Sequence, residues 1–83
     1  MKKLVLKIAE EGNVEVIGQF SSFEELKGFL VKNTQKYFGW INDNAEAEDY
    51  REMPDFISCE DVRDVKVVLS DYDYSWWSMQ IEA

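Results

Sequence analysis

From Lys3 to Phe20 the chain alternates apolar and polar residues on either side of one break at Gly12-Asn13, a pattern that admits little except a β-hairpin. Leu4, Leu6 and Ile8 fall on one side of an extended strand, with Lys3, Val5 and Lys7 on the other. Val14 to Phe20 forms the returning run. Directly paired residues of an antiparallel ladder share a face, so parity limits the loop. A two-residue Gly12-Asn13 turn pairs Ile8 with Ile17 but Leu6 with Gln19. A three-residue loop of Glu11, Gly12 and Asn13 instead pairs Ile8 with Val16, Leu6 with Gly18 and Leu4 with Phe20. It keeps one face more consistently apolar, and is the expectation.

Ser21 and Ser22 each have a glutamate three residues on, the spacing of a capping box, so a helix starts here. Phe23, Leu26, Phe29, Leu30 and Tyr37 recur at helical spacing while Glu24, Glu25, Lys27, Lys32 and Lys36 face outward. Gly39 is the expected terminator. Gly28, inside the helix, costs about 1 kcal/mol relative to alanine, which suggests a strand approaching closely there. Asn42 to Glu46 then offers a second N-cap, and Pro54 limits the following helix to about Met53. On that short helix or loop, Glu46, Glu48, Asp49 and Glu52 spread over one face, with Ala47, Tyr50 and Met53 on the other. Phe56 and Ile57 are expected to tuck under the fold.

Val65, Val67 and Leu69 alternate with Lys66, Val68 and Ser70 and read as a third strand; a fourth follows Asp71-Tyr72-Asp73. Parity pairs Leu69 with Trp77, Val67 with Met79 and Val65 with Ile81. The expected fold is therefore α+β and a single domain: an antiparallel four-stranded sheet in β-β-α-(α)-β-β order, one main helix on one face, and a short acidic helix or loop. Its open face would carry Val5, Ile17, Val68 and Trp76, an apolar patch suited to a homodimer or assembly contact.

Composition decides what chemistry such a domain can hold. With 46% hydrophobic residues it is too apolar for a disordered chain. There is no histidine, and the single cysteine, Cys59, has neither a disulfide partner nor a base to activate it; it reads as a small buried residue. Gly12, Gly18, Gly28 and Gly39 lie too far apart for a phosphate loop. No apolar run approaches a membrane span or a signal-peptide core, so a soluble, cytoplasmic protein without a cofactor is expected, in the host cytoplasm if phage-encoded. Calcium is the competing ligand, through Asn42, Asp43, Asn44, Glu46 and Glu48 or through Asp71 and Asp73, although Ala45 and Ala47 break the EF-hand pattern. The aromatic run Tyr72 to Trp77 contains Asp73, follows Asp71 and has no base, which argues against direct nucleic-acid binding; Trp77 reads as core.

The net charge of −8 is concentrated between Asp43 and Asp64, where nine acids face two bases. Such a field favours basic partners and repels nucleic acid and anionic membranes. The reading is a non-enzymatic inhibitor that docks on a basic, nucleic-acid-binding surface of a larger protein, its carboxylates standing in for phosphates. The contact residues are Asp43, Glu46, Glu48, Asp49, Glu52 and Asp55, then Glu60, Asp61 and Asp64, with Tyr50, Tyr72 and Trp76 adding contact area. In size, acidity and lack of catalytic residues the chain is similar to phage anti-CRISPR and antirestriction proteins and to nuclease immunity proteins, a resemblance of composition that implies DNA mimicry. The alternatives are a small assembly subunit using the open sheet face and a calcium or small-ligand module.

Overall fold

The computed structural model describes residues 3–40 and 53–82. Its elements are β1 (Leu4–Glu10), β2 (Asn13–Phe20), α1 (Phe23–Phe38), α2 (Val62–Ser70) and β3 (Trp77–Glu82). The class is α+β, but the sheet has three antiparallel strands in the order β2-β1-β3. The expected four-stranded sheet is overturned because its third strand is the helix α2, and β3 pairs with β1 instead. Leu6 faces Ile81, Ile8 faces Met79 and Glu10 faces Trp77. The expected acidic helix or loop before Pro54 falls on residues 41–52, outside the described ones.

Valines misled the reading of α2, because Val65, Val67 and Leu69 fit a strand period as well as β-branched propensity does. Val62, Val65 and Leu69 also fit the helical period, and capping decides between them. Asp61 is extended (φ −153°, ψ 178°) and its carboxylate accepts the Asp64 N–H at 2.9 Å. Asp64 in turn accepts the Glu60 N–H at 2.9 Å, so two backbone donors at the helix start are satisfied. Val65 and Leu69 are buried, whereas Val67, which a strand would have turned inward, is 62% exposed.

The hairpin departs from expectation at its tip. Its loop is Glu11-Gly12, both with positive φ (50° and 86°), between the paired residues Glu10 and Asn13. Such a turn matches the twist of a tight hairpin. Leu4 still faces Phe20 and Leu6 faces Gly18, but Lys7 faces Val16, so a β-bulge at Ile17 absorbs one residue. Ile8 is therefore opposite Glu15, not Val16. Glu10 and Glu15 share the helix-side face with Ile8 and Trp77, while Val14 and Val16 turn to the other side, 66% and 47% exposed.

That outer face carries Val5, Lys7, Ala9, Ser78, Gln80 and Glu82 as well, with Lys7 and Glu82 paired at 2.8 Å. The apolar patch expected there does not assemble. Ile17 and Val68 pack against the core, and Trp76 sits before β3 beside Trp40.

Helix α1 begins as its serines suggest. Ser22 accepts the Glu25 N–H, and the Glu25 carboxylate reaches back to the Ser21 N–H. Its buried residues Leu26, Leu30 and Phe38 meet Leu6, Met79 and Ile81 of the sheet and Val65 and Leu69 of α2 in one core. Phe38 is the hub, its ring 5.4–5.7 Å from those of Phe56, Tyr72 and Trp77. Phe56 is buried as expected, but Ile57 is 70% exposed. Gly39 does follow the helix, where a Cβ would press on the Gln35 carbonyl. No strand approaches Gly28; a Cβ there would meet nothing within 4 Å. Among the described residues, no helix is long and apolar enough to cross a membrane.

Candidate functional site

Between Pro54 and α2 the chain folds into a turn held by its own acids. Asp55 accepts the Ser58 hydroxyl at 2.7 Å and the Ser58 N–H at 3.2 Å. These bonds, the hydroxyl's first, hold its carboxyl below the ordinary aspartate value. Lys27 of α1 donates to the Cys59 carbonyl at 2.8 Å and ties the turn to the helix. Cys59 is buried, and its thiol is pushed up, first by burial and then by the charges of Asp64 and Asp55. Both effects keep the thiol protonated and unreactive.

Of the residues selected from sequence, Asp55, Glu60 and Asp61 are exposed and gathered at the start of α2, with Asp64 half-buried beside them. Asp61 and Asp64 also serve as the helix cap. Trp76 is 46% exposed, whereas Tyr72 is buried edge-on to Phe38 and so belongs to the core. Asp43, Glu46, Glu48, Asp49, Tyr50 and Glu52 lie outside the described residues. Asp71 and Asp73 are exposed, and among the described residues no group of three or more His, Cys, Asp or Glu side chains converges as a metal site would require.

A second region gathers at the hairpin tip. Tyr74 and Trp77 exchange backbone hydrogen bonds at 2.8 and 3.3 Å, closing a turn over Ser75-Trp76. The Glu11 N–H donates to the Trp76 carbonyl at 3.0 Å and so carries the β1–β3 pairing one step past the strand. From the end of α1, Trp40 donates its indole N–H to the Tyr37 carbonyl at 2.7 Å. Its ring meets Trp76 and Trp77 edge-on at 4.9 and 5.2 Å, and Tyr74 stacks on Trp76.

These contacts form part of an open groove of about 500 Å³, lined by Tyr37, Trp40, Trp76 and Trp77 and by Ile8 and Ile17. Glu10 and Glu15 enter it from the strands, and Lys36 from the helix. The Lys36 ammonium lies 5.3 Å from the centre of the Tyr37 ring. Among the described residues, neither Glu10 nor Glu15 makes an ion pair or a side-chain hydrogen bond.

Of this groove, sequence reasoning selects Trp76 as a contact residue and Ile17 with it as part of an expected apolar sheet face. A three-residue loop would put Val16, not Glu15, beside Ile8, so Glu15 does not stand out from the sequence. The signal was the Glu11-Gly12 pair: a two-residue loop ending at Gly12 makes Glu10 and Asn13 partners and turns Glu15 toward the helices. Comparison with family models, with curated proteins and with solved structures gives no match for this chain.

Proposed function

We propose that the protein is a small acidic inhibitor, without catalytic activity of its own, that binds a larger protein at a basic surface made to hold nucleic acid. The observation behind this reading is the charge: −8 overall, with nine acids against two bases from Asp43 to Asp64. Asp55, Glu60 and Asp61, at the end of that stretch, present exposed carboxylates on a turn fixed by hydrogen bonds. Carboxylates held in place lose little freedom on meeting Lys and Arg, and they steer a basic partner from a distance. The setting in this reading is the cytoplasm.

The test is capture from a nuclease-treated bacterial lysate on immobilised protein. The reading expects a nucleic-acid-binding enzyme that salt or competing duplex DNA releases. Reversing Glu48, Asp49 and Glu52 to lysine should abolish its capture while the circular dichroism stays native. Capture that survives the reversal, or a partner indifferent to salt, contradicts the reading. Recovery of the protein alone points to self-assembly instead.

A further inference from the structure

The hairpin tip is built in an unusual way for a sheet that must cover a core. The bulge at Ile17 and the Glu11-Gly12 turn leave Val14 and Val16 facing solvent and turn Glu15 to the helix side, where Glu10 already lies by its parity with Ile8, beside three indoles and a phenol. Packing alone favours the opposite choice, with Val16 across from Ile8. Bulges recur where a strand must re-aim a side chain. Here Glu15 is re-aimed to join Glu10 at an aromatic groove; both carboxylates are exposed and neither makes an ion pair among the described residues, although Lys36 lines the same groove.

We propose that this groove is a receptor for an arginine side chain of a protein partner. Charge complementarity and shape both favour that occupant. Glu10 and Glu15 are diagonal neighbours across the β1–β2 pair, with backbones on the order of 7–8 Å apart. A planar guanidinium between them can donate to both carboxylates and lay its face on the exposed Trp76 ring. A lysine ammonium, compact and strongly hydrated, uses the flat aromatic wall less well. Calcium needs six or more oxygen ligands, and the groove brings two carboxylates. Lys36 already lies over Tyr37 and is the internal competitor for the site. The inference uses different residues from the acidic turn and holds whether or not that turn docks on a nucleic-acid-binding surface.

The probe is the blocked tripeptide acetyl-Gly-Arg-Gly-amide, titrated into the isotopically labelled full chain and followed by two-dimensional NMR, with the isosteric citrulline peptide as control. The arginine peptide should give saturable shifts at the Trp76 indole and at the Glu10 and Glu15 amides, and the citrulline peptide none. Combining Glu10→Gln with Glu15→Gln should weaken binding about tenfold or more while the spectrum stays dispersed, because both charge-assisted bonds are lost. Lys36→Met should strengthen it. Equal response to citrulline, no response to arginine, or shifts centred on Asp55 to Asp64 would each overturn the proposal. Reversing Asp55 and Glu60 to lysine tests the inhibitor reading separately and should leave the tripeptide's pattern of shifts in place.

Discussion

At the start of α2, Asp61 and Asp64 each accept a backbone N–H and Asp55 takes two donors from Ser58; at the hairpin tip, Glu10 and Glu15 accept none among the described residues. The first group is dense in sequence and conspicuous by composition. The second consists of two glutamates that no count of charge would single out. Yet the dense group has local work, capping a helix and closing a turn, and such bonds lower the free energy of the fold itself. The sparse pair contributes no bond to the fold and stands beside exposed aromatic surface. Density of charge marks a surface that attracts basic partners; exposed charge with no protein partner beside aromatic rings is where the proposal has one side chain gripped.

The widest gap between fold and groove should appear at the adjacent tryptophans. Trp77, 5% exposed and packed on Phe38, anchors β3, and Trp77→Ala should cost about 3–5 kcal/mol in urea unfolding. Trp76, nearly half exposed, should cost about 1 kcal/mol. Equal losses would make the groove wall part of the core and erase the distinction.

Next in size is the turn that aims Glu15. Gly12→Val places a β-branched residue at φ 86°, a strain of about 1–2 kcal/mol. Cross-strand NOEs should show the hairpin moving toward the three-residue loop, with Val16 opposite Ile8. A variant of native stability and register would mean the turn does not fix the Glu15 carboxylate.

Gly28→Ala is the control outside both regions. The added methyl meets nothing within 4 Å, so stability should rise by about 0.4–1 kcal/mol. A loss would point to a contact at that surface that the fold does not explain.

The smallest effect is in pH. Asp55 has a folded-state pKa below its unfolded value, so its contribution to stability is present above the unfolded pKa and fades as pH falls through the folded one. An NMR titration should place its midpoint below the ordinary aspartate value, and Ser58→Ala should return it toward that value. If the midpoint ignores Ser58, the turn is not what holds this carboxylate.

How far the sequence could be read follows the same physics. The Ser22–Glu25 cap and the Leu26 and Leu30 face of α1 depend on neighbours within one or two turns, and they were legible. So were the outer hairpin pairs Leu4–Phe20 and Leu6–Gly18 and the inward set Trp77, Met79 and Ile81. The stretch from Val62 to Ser70 is ambiguous in sequence because its valines satisfy two periods at once, and the cap that decides between them, Asp61 with Asp64, looks like free charge until the fold is known. The groove was hidden for a different reason: it joins the hairpin tip to the far end of α1 and the turn before β3. That meeting depends on a single-residue bulge and on the Glu11 to Trp76 hydrogen bond.

The contrast between the two carboxylate groups is tested most directly by neutralising each and measuring urea unfolding at neutral pH. Asp61→Ala with Asp64→Ala should lose about 1–2 kcal/mol, the scale of a helix cap. Glu10→Gln with Glu15→Gln should lose nothing and gain a few tenths of a kcal/mol, as two like charges near each other are removed. A loss at Glu10 and Glu15 as large as that at the cap would show that they support the fold, and would contradict their assignment to a partner.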